Sequence, residues 1–130
     1  MLERIIAPGA AAPRGPYSHA VRAGDFIFVS GQGPLDPATG QFKLGDISSE
    51  TRQTLENIQR ILKACGADMR DVVKVSVFLT DVNDFGAMNQ VYTEFFGDAR
   101  PARSTVQAVL PGRGTKVEID CIAYKPAAGS

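Results

Sequence analysis

The chain has 130 residues, of which 44% are hydrophobic and 22% are charged, and this size and composition predict one globular domain over residues 1–130. Because 14 basic and 14 acidic side chains give a formal net charge of zero, the sequence does not favour nucleic acid as a partner. It begins without the apolar run of a secretory signal and contains nothing near the roughly 18 apolar residues of a membrane span, so we expect a cytoplasmic protein with no membrane partner.

Few side chains of the types that bind transition metals are present. Cys65 and Cys121 lie far apart in the sequence, without His or Cys neighbours at metal-ligand spacing, so we expect two packed thiols, with a disulfide as the open alternative. His19 is the only histidine, and a structural role is favoured over a place in the wall of a cleft. The sequence therefore predicts no metal site.

The first third of the chain predicts an extended arm and short strands. Residues 8–15 are rich in Ala, Pro and Gly, which favours an arm over a helix. Residues 17–21 and 26–30 are typical of two short strands, and the Gly and Pro content of residues 31–40 predicts a loop. Phe42 is a candidate for the start of a further short strand.

A first helix is indicated after this loop. Ser48 or Ser49 offers an N-cap hydroxyl, and Glu50 places a negative charge in the first turn. The apolar positions that follow have helical spacing and are Leu55, Ile58, Leu62 and Cys65. Gly66 is the expected end of the helix.

Residues 72–79 alternate as a half-buried strand does. The apolar face is formed by Val73, Val75, Val77 and Leu79, and the polar face by Lys74 and Ser76.

A second helix follows, with Asn83 or Asp84 as its N-cap and Gly97 at its end. Its apolar positions predict core packing, not a cofactor site, and are Phe85, Met88, Tyr92 and Phe95.

The β-branched and alternating patterns predict two final strands, over residues 103–110 and 116–124. The Pro and Gly residues of 111–114 suit a hairpin loop between them. The element order is then ββ(β)αβαββ, where the bracketed strand is the one at Phe42. Since two helices cover only one face of such a sheet, the other face needs cover, which self-association would supply.

The last strand separates its side chains by face. The apolar face contains Val117, Ile119, Cys121 and Ala123, and the other contains Lys116, Glu118 and Asp120, which suits a subunit contact or a cleft. Arg103 and Thr105 share one side of their own strand. Whether they face Glu118 depends on the strand register, which the sequence leaves open.

The common sequence signatures of enzymes are absent. The chain contains no Walker loop, nucleophile elbow, HExxH motif, CxxC pair or dinucleotide fingerprint. Gly31-Gln32-Gly33 is too short for a phosphate-binding loop and indicates a strand-to-loop turn.

Several segments nevertheless resemble a known family. They are Gly15-Pro16-Tyr17-Ser18-His19-Ala20, Phe28-Val29-Ser30-Gly31-Gln32, Pro101-Ala102-Arg103-Ser104-Thr105-Val106 and Val117-Glu118-Ile119. In this order they resemble the RidA/YjgF family of reactive-intermediate imine deaminases, and the resemblance spans nearly the whole chain. It implies an α+β, chorismate-mutase-like fold with a six-stranded, mainly antiparallel sheet and two helices on one face. It also implies a homotrimer with clefts between subunits, which would cover the second face of the sheet.

The resemblance implies two catalytic residues. Arg103 is similar to the family arginine that binds the substrate carboxylate, a task that suits the bidentate guanidinium. Glu118 is similar to the family glutamate that positions a water molecule near an imine carbon. The implied substrate-binding residues are Tyr17, Ser30, Gly31, Asn89 and Thr105. At Thr105 some relatives have cysteine, so thiol chemistry is not expected here, whereas a hydroxyl can still orient a substrate.

The activity implied by the resemblance is hydrolysis of 2-aminoacrylate or 2-iminopropanoate to a 2-keto acid and ammonia. Positioning and modest proton transfer suffice for a reaction that already proceeds in water, so no cofactor is expected. Three alternatives stay open: a metabolite-binding trimer without catalysis, a deaminase for a larger enamine such as an aminomuconate, and an endoribonuclease, which the neutral charge disfavours.

Overall fold

The computed structural model describes residues 2–127, which form six strands and two α-helices. The strands are β1 (Leu2–Ile5), β2 (Ala20–Ala23), β3 (Phe26–Gln32), β4 (Val72–Leu79), β5 (Ala102–Gln107) and β6 (Val117–Tyr124). The helices are α1 (Ile47–Ala64) and α2 (Phe85–Phe96). No helix within residues 2–127 is both long enough and apolar enough to cross a membrane.

The strands form one sheet in the order β1-β2-β3-β6-β4-β5. Every neighbouring pair is antiparallel except β4 and β5, which run parallel. The expected six-stranded, mainly antiparallel sheet is therefore confirmed. Its sixth strand is β1, which the sequence pattern did not predict, whereas Phe42 forms only an isolated bridge with Leu35.

Both helices and one face of the sheet share a single core. On β6 the alternation is as predicted, because the buried side chains are Val117, Ile119, Cys121 and Ala123. On α1 the predicted apolar positions Leu55, Ile58 and Leu62 are fully buried. Cys65 and Cys121 are free thiols, which excludes the disulfide.

The predicted N-cap of α1 was wrong. Asp46 is the cap, because its carboxylate accepts the Ser49 backbone N–H at 2.8 Å, and the helix begins at Ile47, ahead of both candidate serines. The predicted end was right, since Gly66 follows the helix with φ of +81°, a backbone conformation that glycine adopts without strain.

The polarity of β4 differs from the prediction at one position. Val73 is 43% exposed because the pairing with β6 shifts between Val72 and Lys74. This bulge turns Val73 outward and gives Val72 the buried place, while Val75, Val77 and Leu79 point into the core as expected.

The predicted hairpin between the last two strands was also wrong. β5 pairs with β4 in parallel, and β6 lies between β3 and β4. Parallel neighbours need a crossover connection, which α2 provides between β4 and β5. The chain after β5 then crosses to the centre of the sheet, so the Pro and Gly residues of 111–114 form a wider connection than a hairpin loop.

One face of the sheet is left uncovered by the helices. The large apolar side chains on it that are 43–50% exposed include Phe26, Phe28, Val106 and Tyr124. Phe26 and Tyr124 form an edge-to-face pair with ring centroids 5.2 Å apart. The predicted uncovered face is thus present in the single chain.

A buried carboxylate fixes the connection into β6. Glu50 on α1 is fully buried, and it accepts the Lys116 backbone N–H at 2.8 Å and the Gly45 N–H at 3.1 Å. The Lys116 ammonium lies 3.3 Å from the same carboxylate. These bonds hold the start of β6 against α1.

We expect Glu50→Ala to lower the free energy of unfolding by about 2 kcal/mol, because the backbone N–H groups of Gly45 and Lys116 lose the buried carboxylate that accepts their part-buried hydrogen bonds. Glu56→Ala, at an exposed position of the same helix, should change it by less than about 0.5 kcal/mol. Urea denaturation at one protein concentration measures both values. Equal stability of the two variants would show that the Glu50 bonds do not hold the fold.

Candidate active site

The site residues expected from the resemblance fall into two clusters on opposite faces of the sheet. Arg103 aligns with Val75 and, across β4, with Cys121, so its side chain projects on the helix-covered face. Glu118 aligns with Phe78 and projects on the uncovered face. Two strand spacings and three residues along the strands separate their backbones by roughly 14 Å. One chain therefore does not bring these two groups to one substrate.

The first cluster surrounds Arg103 on the edge strand β5. Its guanidinium carbon lies 4.6 Å from the ring centroid of Tyr92 and 5.5 Å from that of Phe85, within the range of cation–π attraction. Within residues 2–127, no carboxylate forms an ion pair with the guanidinium, and the Tyr92 hydroxyl is the polar group beside it. The two rings from α2 thus orient the charge, and a guanidinium with five N–H donors keeps donors for a ligand.

Polar groups without partners lie in the same cluster. Among residues 2–127, the hydroxyls of Tyr92 and Thr105 are buried and lack a hydrogen bond. Burial raises the pKa of Tyr92, while the neighbouring Arg103 charge acts in the opposite direction. Asn89 shares the helix face of Phe85 and Tyr92 by its spacing. Free donors and acceptors surround the guanidinium, as expected of a site for a small polar anion.

Phe85 and Tyr92 were predicted to pack only in the core, but in the structure their rings hold the Arg103 guanidinium. Their seven-residue spacing on a helix gave the signal that they share a face. Phe85 is 42% exposed and Tyr92 is buried, and both rings contact Arg103. The contact of these rings with Arg103 becomes evident only in the structure, where α2 lies beside β5.

The second cluster is centred on Glu118 and Gly31. A methyl group on Gly31 would lie 2.6 Å from the Glu118 carboxylate oxygen, so the missing side chain gives the carboxylate its place over β3. Burial raises the pKa of Glu118, and the negative charge of Asp120 raises it further. A carboxylate of this kind can accept a proton at a higher pH than an exposed one.

Ser30 and His19 hold the arm that carries Tyr17. The Ser30 hydroxyl donates to the Ser18 carbonyl at 2.6 Å, and its backbone N–H donates to the His19 carbonyl at 3.0 Å. Buried His19 accepts the Ala7 N–H at Nδ1, and this assigns the proton to Nε2, which lies 2.7 Å from the Ala11 carbonyl. His19 thus has the structural role that was favoured, and it also lines a cavity beside this cluster, so both predicted alternatives apply.

A cavity of about 380 Å³ opens beside this cluster. It lies between the arm at 11–17, the end of β3 and the loop at 111–115, and both Tyr17 and Glu118 line it. Arg14 and Arg113 also line it, which the sequence analysis did not predict.

Two chemistries are available from these clusters. The Arg103 guanidinium can bind a carboxylate in two parallel hydrogen bonds, and the Glu118 carboxylate can hold and partly deprotonate water. Cys121 is no nucleophile, because burial raises the pKa of its thiol to about 12. Within residues 2–127, no group of three His, Cys, Asp or Glu side chains is placed to hold a metal ion.

Comparisons with known proteins extend over most of the chain. A family model described as Endoribonuclease L-PSP matches residues 8–125. A RutC family protein of Pyrococcus horikoshii is 50% identical over 125 residues, 96% of this chain and 99% of that protein. The 2-iminobutanoate/2-iminopropanoate deaminase of Mus musculus is 46% identical over 116 residues, 89% of this chain and 86% of that protein. The crystal structure of E. coli TdcF with bound serine is 39% identical, has a TM-score of 0.86, and covers 95% of this chain and 99% of its own.

We expect Gly31→Ala to displace the Glu118 carboxylate toward solvent and to lower its raised pKa toward the value of an exposed glutamate. The pKa is measured by NMR titration of carbon-labelled glutamate side chains. Gly86→Ala is the matched control, because a methyl group there meets nothing within 4 Å. A Glu118 pKa that stays raised in Gly31→Ala would contradict the close packing of the two residues.

Proposed function

This chain belongs to the RidA/YjgF family, and we propose that it is an enzyme that hydrolyses reactive 2-imino and enamino acids to 2-keto acids and ammonia. The observation that carries the proposal is the Arg103 guanidinium, oriented by two aromatic rings and free of any ion pair within residues 2–127. The name of the mouse relative supports the reaction. The serine in TdcF supports an amino-acid-sized ligand.

Arg103 binds the substrate carboxylate in this proposal. A planar guanidinium matches a carboxylate with two parallel hydrogen bonds, which fixes both the position and the plane of the substrate. Tyr92 and Phe85 hold the guanidinium, while Thr105 and Asn89 offer polar groups beside the bound acid.

The two clusters form one site only when protomers assemble. We therefore propose a homotrimer in which Arg103 of one protomer and Glu118 of its neighbour line the same cleft. The uncovered face with Phe26, Phe28 and Tyr124 supports an assembly, because exposed apolar patches of this kind mark contacts between proteins.

The reaction then proceeds by addition of water. An enamine first tautomerises to its imine, and Glu118 accepts a proton from the water molecule that attacks the imine carbon. Glu118 passes this proton to the nitrogen, which gives a neutral adduct with a hydroxyl and an amino group. Glu118 then takes the hydroxyl proton and delivers it to the amino group, so that the carbon–nitrogen bond breaks, ammonia leaves and the carbonyl forms. The raised pKa of Glu118 fits this exchange, because such a carboxylate both accepts and returns a proton readily.

An endoribonuclease is the second candidate, because the matching family model bears that description. Two features count against it. The chain has no net positive charge, and its only histidine is buried with both ring nitrogens bonded to backbone groups, so it cannot exchange a proton with RNA. A trimer that binds keto acids without catalysis would use the same Arg103 contact, and only the rate of imine loss separates it from the enzyme.

We expect the wild-type protein to accelerate the loss of 2-iminopropanoate and Arg103→Ala to lower kcat/KM at least about 100-fold, because a charge-assisted bidentate contact is lost. Arg103→Lys should keep a small part of the activity, since it keeps the charge without the bidentate geometry. The imine is generated from alanine by an amino-acid oxidase, and its disappearance is followed by trapping with semicarbazide.

Arg70→Ala is the control, since Arg70 is exposed and lies in neither cluster. If the wild-type protein did not accelerate the loss of 2-iminopropanoate, the proposal that it is an imine-hydrolysing enzyme would be contradicted. Equal rates for wild type and Arg103→Ala would instead contradict the part assigned to Arg103.

A further inference from the structure

The cavity beside Glu118 contains positive charge that hydrolysis of a small imino acid does not use. Arg14 and Arg113 line it together with Tyr17 and Glu118. Both lie within residues 8–125, which the family model matches, and neither has a part in the reaction proposed above. Their charges therefore need a separate explanation.

Arg14 is held in place at the wall of this cavity. One of its terminal nitrogens donates to the Gly40 carbonyl at 3.2 Å, and its guanidinium carbon lies 4.7 Å from the ring centroid of Phe42. Its backbone N–H donates to the Tyr17 hydroxyl at 3.4 Å, a contact within the arm. A guanidinium has five N–H donors, so most of them stay available to a ligand.

No carboxylate of residues 2–127 forms an ion pair with Arg14 or Arg113. The ion pairs found within residues 2–127 are Arg52–Glu94 and Lys116–Glu50. Arg14 reaches the cavity from the arm and Arg113 from the loop at 111–115, whereas Glu118 reaches it from β6.

The cavity is also larger than a three-carbon imino acid needs. Its volume of about 380 Å³ falls in the range of pockets that hold ligands of drug size. A longer substrate that starts at Glu118 has room to extend toward the arginines.

We infer that this cavity is a subsite for a second anionic group, so that the preferred substrates are 2-imino acids with a carboxylate at the end of the side chain. The inference rests on the proposed function. Arg103 of one protomer binds the carboxylate next to the imine, and Arg14 binds the distal carboxylate in the cavity that Arg113 also lines. The carbon that reacts then lies at Glu118, between the two anchors.

The test compares two imines of equal carbon number. 2-Iminoglutarate, generated from glutamate, carries the distal carboxylate, and 2-iminopentanoate, generated from norvaline, does not. We expect wild type to have a kcat/KM about tenfold higher for 2-iminoglutarate, the factor given by one charge-assisted hydrogen bond. Arg14→Met should abolish this preference, and Arg14→Lys should keep part of it because the charge remains.

The ratio of the two kcat/KM values is the readout, because a general loss of folding lowers both and leaves the ratio unchanged. Arg70→Met, an exposed arginine outside the cavity, is the matched control and should keep the wild-type ratio. Equal kcat/KM values in wild type, or a preference that survives Arg14→Met, would overturn the inference. Acceleration of neither imine, nor of 2-iminopropanoate, would instead overturn the proposed function.

Discussion

The insertion of β6 between β3 and β4 determines where every functional group lies. With β6 at the centre, β5 is left at the edge of the sheet, parallel to β4 and beside α2. That edge position brings Arg103 to the rings of Tyr92 and Phe85. The same pairing turns Glu118 to the uncovered face, where Gly31 leaves room for its carboxylate. One topological choice thus separates the two groups that the proposed chemistry needs together.

The sequence patterns within single strands and helices correctly predicted most of their buried faces. The alternation along β6 and the helical spacing on α1 gave the correct buried faces, because burial against a single core fixes them. The hairpin prediction failed because the composition of residues 111–114 is the same whether the next strand pairs nearby or crosses the sheet. Val73 was predicted on the wrong face because a bulge depends on how two strands pair, and the sequence of β4 alone does not reveal that pairing.

The candidate site was predictable only in part for the same reason. The resemblance of short segments to the family identified Arg103, Glu118 and Gly31 as candidate site residues. The structure shows the aromatic rings that contact Arg103 and the close approach of Gly31 to Glu118. The rings that hold Arg103, and the arginines of the cavity, come from segments distant in sequence. No periodicity or motif connects Arg14 to Glu118, and only the folded arm brings both to one cavity.

The central claim is that Arg103 and Glu118 act on one substrate from different protomers, and mixing two inactive variants tests it most directly. Arg103→Ala and Glu118→Gln protomers are unfolded together in equal amounts and refolded, and the rate of 2-iminopropanoate loss is compared with each variant refolded alone. The account predicts recovery of about one quarter of the wild-type rate, because random assembly gives that share of clefts an intact residue from each side. A mixture no more active than its parents, with wild type refolding to full activity, would contradict it.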